Sequence, residues 1–146
     1  MAATPCLFCQ IAAGEIPASI VFDDSRMLAF LDHRPLFPGH CLLIPRQHFE
    51  TIADLPAEHV GPLFEMARTL CVAVETGLGA EGSFLAVNNR VSQSVAHLHI
   101  HVVPRRKKDG LRGFFWPRGK YRDETERDEV RDVLRRTLES LKKPAA

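Results

Sequence analysis

One stretch narrows the choice of fold more than any other. Residues 97–105, HLHIHVVPR, alternate polar and apolar side chains and run into a proline. Alternation with period two marks a β-strand with one buried face. Side chains at i, i+2 and i+4 leave the same side of a strand. His97, His99 and His101 therefore form a row, while Leu98, Ile100 and Val102 face a core.

Such a strand needs neighbours, and the chain supplies them. SIVFDD (19–24) and RMLAFLDHR (26–34) read as two short strands around a turn at Asp23 to Ser25. CLLIP (41–45) reads as a fully apolar strand stopped by Pro45, and SFLAVN (83–88) as a fourth strand. LFCQIAAGEIPA (7–18) suggests a short helical turn ended by Gly14 and Pro17, and PLFPGH (35–40) a loop. Between Asp54 and Gly79 the apolar residues Val60, Leu63, Phe64, Ala67, Leu70, Cys71 and Val74 follow helical spacing. Pro62 fits best in a first turn, which predicts a helix starting close to it and ending at Gly77 or Gly79. Val130, Val133, Leu134, Leu138 and Leu141 predict a C-terminal helix. Short connections between successive strands, broken by one long helix, predict an α+β fold with an antiparallel sheet of about five strands. The expected organisation is one domain over 1–146, with a core at about 5–106 and a C-terminal extension at about 107–146.

Composition removes several classes of function. A net charge of +1 gives no general attraction to nucleic acid or an anionic membrane. No apolar run approaches the roughly 20 residues of a membrane span. The N-terminus lacks the pattern of a signal peptide. Four cysteines, Cys6, Cys9, Cys41 and Cys71, suggest thiols or a metal site rather than a disulfide scaffold, and the expected location is the cytoplasm.

The histidine row admits three readings. Solvated histidines on a wet strand face are unremarkable singly, but three in strict alternation are not. A single metal ion for all three fails on distance, because the outer Cα atoms of such a row lie about 13–14 Å apart. The third reading divides the work: one neutral imidazole attacks phosphorus, a neighbour donates a hydrogen bond, and another polar group fixes the tautomer. Gln93 and Ser94, just upstream, offer amide and hydroxyl groups for phosphate oxygens.

HLHIHVV, the preceding QSV, and LAFLDHRPLFPGHCLLIPRQH earlier in the chain together resemble the histidine triad (HIT) nucleotide hydrolases and transferases, from about Cys6 to Arg105. The resemblance implies that His99 is the nucleophile toward the α-phosphorus and that His101 contacts that phosphate. It further implies that Ser94 and Gln93 bind phosphate oxygens or the leaving group, with Asn88 near the reacting phosphate. Asp32 corresponds to a carboxylate that grips the ribose hydroxyls, and Phe8, Ile11, Phe30 and Leu31 are candidates for the slot around the base. It also implies a homodimer. Two departures stand out: Ser92 replaces a usual glycine, and the loop from Asn88 to Gln93 is about two residues shorter than in familiar relatives.

Cys6-Leu7-Phe8-Cys9 is a C-x-x-C pair, by itself compatible with redox chemistry, half a zinc site, or two core cysteines. Some bacterial triad proteins pair such cysteines with two histidines around a structural zinc. The matching positions are His48 and His97, and a closed set of two thiolates and two imidazoles leaves no open position for catalysis. His33 and His59 read as solvated, and His40 receives no role. The basic and aromatic residues of 104–121, including Phe114, Phe115, Trp116 and Tyr121, fit solvent, pocket closure or a subunit contact better than nucleic acid. A non-catalytic nucleotide- or zinc-binding protein and a nucleotidyl transferase remain as alternatives to a hydrolase.

Overall fold

The computed structural model describes residues 5–112 and 119–142. Phe114, Phe115 and Trp116 fall outside the described residues. The chain forms two compact units, one ending at Asp109 and one starting at Gly110. The first unit contains α1 (Leu7–Ala12), β1 (Ile20–Asp23), β2 (Met27–Leu31), β3 (Cys41–Pro45), a 3-10 turn (Ile52–Asp54), α2 (Ala57–Leu78), β4 (Gly82–Ala86) and β5 (Ile100–Arg105). The strands form one antiparallel sheet in the order β1-β2-β3-β5-β4. The second unit carries α3 (Glu124–Lys142), whose apolar residues Val130, Val133, Leu134, Leu138 and Leu141 are all exposed.

Both faces of the sheet are covered, by different elements. Met27, Ala29, Cys41, Leu43, Ile100 and Val102 pack with Leu63, Ala67, Leu70 and Val74 of α2. The alternate residues Leu28, Phe30, Leu42 and Ile44 pack with Phe8 of α1. Leu42 is the Cα partner of His101, so the histidines belong to the α1 face. The row is consequently not a wet surface: His97 and His99 are 0% and 2% exposed.

Three sequence expectations need correction. β5 begins only at Ile100, and His97 and His99 precede it outside the sheet ladder, His97 in a bend where its N–H donates to Val95 O at 2.8 Å. Leu98 there donates its N–H to Phe49 O at 2.6 Å rather than to a neighbouring strand. Helix α2 begins at Ala57, behind Pro56, so that Pro62 lies inside it. A proline there lacks one N–H in the second turn, a local loss that burial of Leu63, Ala67, Leu70 and Val74 outweighs. Val60 and Phe64, expected on the core stripe, remain 37% and 38% exposed. The helix stops at Gly79, in the left-handed conformation with φ +63°.

Two local devices position the future site. Arg46 donates to Ala12 O and Asp24 O, each at 2.6 Å, and pairs with Asp23, which ties α1 to the β1–β2 hairpin. Gly39 has φ +96°, and a Cβ there would collide with Leu78, so the turn into His40 requires glycine.

Candidate active site and metal cluster

Helix α1, the segment after β3 and the start of the histidine run bring Cys6, Cys9, His48 and His97 together. One ligand atom from each lies within 4.8 Å of all the others. Nδ1 of His97 is 3.5 Å from both Cys6 Sγ and Cys9 Sγ, and Nδ1 of His48 is 3.3 Å from Cys9 Sγ. Zinc–ligand bonds of about 2.3 Å to sulfur and 2.0–2.1 Å to nitrogen, at tetrahedral angles, give S···N edges of about 3.6 Å, close to these separations. On the far side of the ring, His97 Nε2 donates to Pro45 O at 2.8 Å, which leaves Nδ1 as a lone pair turned toward the sulfurs. Burial and the neighbouring Cys6 thiol push Cys9 up to about 11, an arrangement that favours ionisation only beside a cation. These four residues can hold a metal ion.

The same histidine fixes its neighbour. His99 Nδ1 donates to the main-chain oxygen of His97 at 2.7 Å, so Nε2 of His99 carries the lone pair. Phe8 meets the rings of His97 and His99 edge-on, with centroids at 6.0 and 5.1 Å, and packs against Phe30 at 5.4 Å. At 5% exposure Phe8 is a buried support beneath the histidines.

His101 is fixed by a residue that sequence reasoning left without a role. Leu36 N–H donates to His40 Nδ1 at 3.1 Å, which assigns the proton of His40 to Nε2. Nε2 lies 2.9 Å from His101 Nδ1 and donates to it, leaving His101 with its own proton on Nε2. His40 is 3% exposed, and its signal in the sequence was its place behind the Pro38-Gly39 turn, opposite the histidine run. Burial, with His99 and His40 nearby, pushes His101 down to about 4 despite Asp32. Burial also lowers His40, against the pull of Asp32. Both rings are neutral near pH 7, as a lone-pair acceptor and N–H donor pair requires. Asp32, His40 and His101 could in principle surround an ion. The 2.9 Å separation, however, is a hydrogen bond, shorter than the about 3.3 Å between two nitrogens on tetrahedral zinc.

Asp32 also borders a cleft of about 670 Å³ lined by Leu7, Ile11, Phe30, Leu31 and His33 among others. Ile11, Phe30, Leu31 and Asp32 are thus brought together at one opening. One Asp32 oxygen accepts Arg34 N–H at 2.9 Å, and the other lies 3.8 Å from His40 Nε2. A second groove, of about 550 Å³, lies between the end of α2 and Val21, Leu31 and Gly39; it is almost wholly apolar and away from the histidines.

The loop before the histidines is tightly tied. Gln93 accepts Arg90 N–H at 2.7 Å and donates to Glu50 O at 2.6 Å, so both ends of its amide already hold the loop. Asn89 accepts Ile52 N–H at 2.9 Å, and Asn88 donates to Ser92 O at 3.2 Å. Ser92 has φ +59°, and Arg90 has φ +69°. The serine adopts the left-handed conformation a glycine would take, at a steric cost of about 1–2 kcal/mol. Ser94 is exposed beside this loop.

A sheet with paired coverings, a metal-competent Cys/His cluster and three histidines in fixed tautomers define a protein of the histidine triad class. The HIT domain matches residues 13–108, well over half of the chain. An uncharacterised HIT-like protein of Methanocaldococcus jannaschii is 39% identical over 72% of this chain and 82% of its own length. The adenylylsulfatase HINT3 of Arabidopsis thaliana is 34% identical over 73% of this chain and 55% of its own. The crystal structure of a zinc-bound histidine triad protein from Mycobacterium smegmatis superposes with a TM-score of 0.70 at 33% identity, covering 88% of this chain and 97% of that one. The chain belongs to the HIT family.

Proposed function

We propose that the protein hydrolyses a bond to the α-phosphate of a nucleotide through a nucleotidyl-histidine intermediate. The observation that carries this reading is the pair of opposed tautomers: a lone pair on Nε2 of His99 beside an N–H on Nε2 of His101, each enforced by a partner behind the ring. The His99 and His101 ring centroids lie 4.9 Å apart, close enough for both to engage one phosphate. His99 Nε2 attacks phosphorus, the bond to the leaving group breaks with inversion, and the leaving group takes a proton from water in the open cleft. His101 donates to a phosphate oxygen as charge develops. Water then attacks the adduct, displaces His99 and releases the nucleoside monophosphate. Ser94 and Asn88 are assigned to the phosphate and leaving group, Asp32 to the ribose hydroxyls, and Ile11, Phe30 and Leu31 to the base. Gln93 acts mainly by holding the loop, since its amide is already engaged.

Nucleoside phosphoramidates and dinucleoside polyphosphates are the substrate classes favoured, and the adenylylsulfatase relative adds a sulfate leaving group. Zinc, bound by Cys6, Cys9, His48 and His97, would supply structural cross-linking only; every chemical step falls to His99, His101 and their neighbours. The working unit is taken as a homodimer, on the family likeness.

Intact-protein mass spectrometry after mixing with adenosine phosphoramidate or diadenosine polyphosphate tests the reading. An acid-labile nucleotidyl adduct on the wild type, absent from His99→Ala and His99→Gly, is expected. Nucleotide binding without adduct or monophosphate release would favour a non-catalytic binding protein, and adduct transfer to a second phosphate in preference to water would favour a transferase.

A further inference from the structure

The hydrogen on Nε2 of His40 faces two acceptors. His101 Nδ1 lies at 2.9 Å and Asp32 Oδ2 at 3.8 Å. The His40 side chain is 4% exposed and that of Asp32 17%, so the carboxylate meets solvent through the cleft while the imidazole does not. The other oxygen of Asp32 is engaged by Arg34 N–H, with the exposed ring of His33 3.8 Å away. Asp32 therefore stands between the cleft and the residue that sets the tautomer of His101.

We infer that sugar recognition at Asp32 is wired through His40 to His101, so that the ribose hydroxyls of a nucleotide accelerate the chemical step as well as binding. This rests on the nucleotide-hydrolase reading above. Before substrate arrives, water solvates the carboxylate through the cleft. A seated nucleotide displaces that water, and a buried carboxylate oxygen left without a donor, here Oδ2, is costly. With a ribonucleotide the vicinal hydroxyls replace the lost hydrogen bonds, and the His40 N–H stays on His101 Nδ1. With a 2′-deoxynucleotide one donor is missing. At Oδ2 the substitute is the His40 N–H, because His33 faces the other oxygen, which Arg34 already engages, and a charged acceptor attracts a donor more strongly than a neutral ring nitrogen does. As His40 turns toward Asp32, His101 Nδ1 loses its donor, and the proton of His101 is no longer confined to Nε2, where the phosphate needs it.

The test compares adenosine and 2′-deoxyadenosine versions of one phosphoramidate in single-turnover experiments on the wild type, Asp32→Asn and His40→Gln. In the wild type the deoxy substrate should lose roughly tenfold in the maximal rate of adduct formation, below the 10²–10³ cost of deleting a transition-state donor outright. In Asp32→Asn, whose neutral amide attracts the His40 proton weakly, the gap in maximal rate should close to within about twofold while affinity falls. His40→Gln should close it likewise. ¹⁵N NMR of the His101 ring with bound AMP or dAMP gives a readout independent of turnover. The Nε2–H tautomer should dominate with AMP and weaken with dAMP in the wild type only. Equal maximal rates for the two sugars in the wild type, or a gap that survives in folded Asp32→Asn, overturns the wiring. If the folded wild type turns over neither substrate, the hydrolase reading falls, and an identical His101 tautomer with both nucleotides then overturns the wiring as well.

Discussion

The main-chain oxygen of His97 accepts a hydrogen bond from Nδ1–H of His99 at 2.7 Å, while the ring of the same His97 turns its own Nδ1 to Cys6, the N-cap of α1, and to Cys9 within it. The residue that orients the proposed nucleophile is therefore itself anchored by the metal-competent cluster. A zinc held there would fasten the N-terminal helix, the segment after β3 and the histidine run at one point.

Removing the metal should consequently destabilise the whole first unit. The wild type is expected to purify with one equivalent of zinc, and Cys9→Ser with much less. A bound ion at a thousandfold above its dissociation constant contributes about 4 kcal/mol, which for a chain of this size corresponds to roughly 10 °C in Tm. Metal analysis and thermal unfolding with and without a chelator check this. A wild type free of metal, with a Tm indifferent to zinc and chelator, would remove the proposed ion.

Ser92 offers a substitution that should stabilise. Its φ of +59° suits glycine, so Ser92→Gly should relieve about 1 kcal/mol in the folded state, less the extra chain entropy glycine brings to the unfolded state. Ser92→Ala keeps the Cβ and should not gain. Urea midpoints of the three proteins decide it; a less stable glycine variant would mean that the serine side chain supports the loop.

Much of this was legible in the sequence, and the exceptions share a cause. Alternation and apolar runs located all five strands of the described residues because period-two patterning is local, and of the two glycines read as helix stops, Gly77 and Gly79, the second ends α2. The C-x-x-C pair and two distant histidines could be joined only through a family resemblance, since nothing local says that residues 6, 9, 48 and 97 meet. His40 could not be read at all. Its contact with His101 depends on Cys41 pairing with Val102 across β3 and β5, which sets the two rings against each other. Pro62 misled because a local rule about proline was overridden by tertiary burial of the same helix. His97 and His99 follow the strand pattern while lying outside the ladder, because alternation reports facing and not pairing.

Phe8 and Ile11, two of the four candidates for the base, stand in different surroundings: Phe8 is buried, and Ile11 lines the cleft. Phe8→Ala removes a buried ring packed on Phe30, His97 and His99 and should cost about 3–5 kcal/mol in stability. Ile11→Ala, at the cleft wall and only partly buried against the same cluster, should cost less, about 1–2 kcal/mol, and raise KM for a nucleotide by about tenfold. Chemical denaturation and steady-state kinetics of the two variants test the assignment; a stable Phe8→Ala with weakened nucleotide binding would return Phe8 to the base slot.

The depressed histidines also predict how the fold responds to acid. His101 titrates at about 4 in the folded chain against an ordinary value of 6.5, held down first by burial and then by His99 and His40, with Asp32 opposing. Between those two values the unfolded chain binds a proton that the folded chain refuses, so stability falls as pH drops from about 6.5 toward 4. The shift sets an upper bound of about 3 kcal/mol on this contribution. His101→Gln, which cannot titrate, should show a shallower decline in denaturation midpoint between pH 7 and pH 4.5. Zinc lost to acid affects both proteins alike and cancels in the difference between them. Parallel curves for wild type and His101→Gln would mean that the ring is hydrated enough to keep its ordinary affinity for a proton. In that case the buried donor pair of His40 and His101 would not be the neutral one proposed for catalysis.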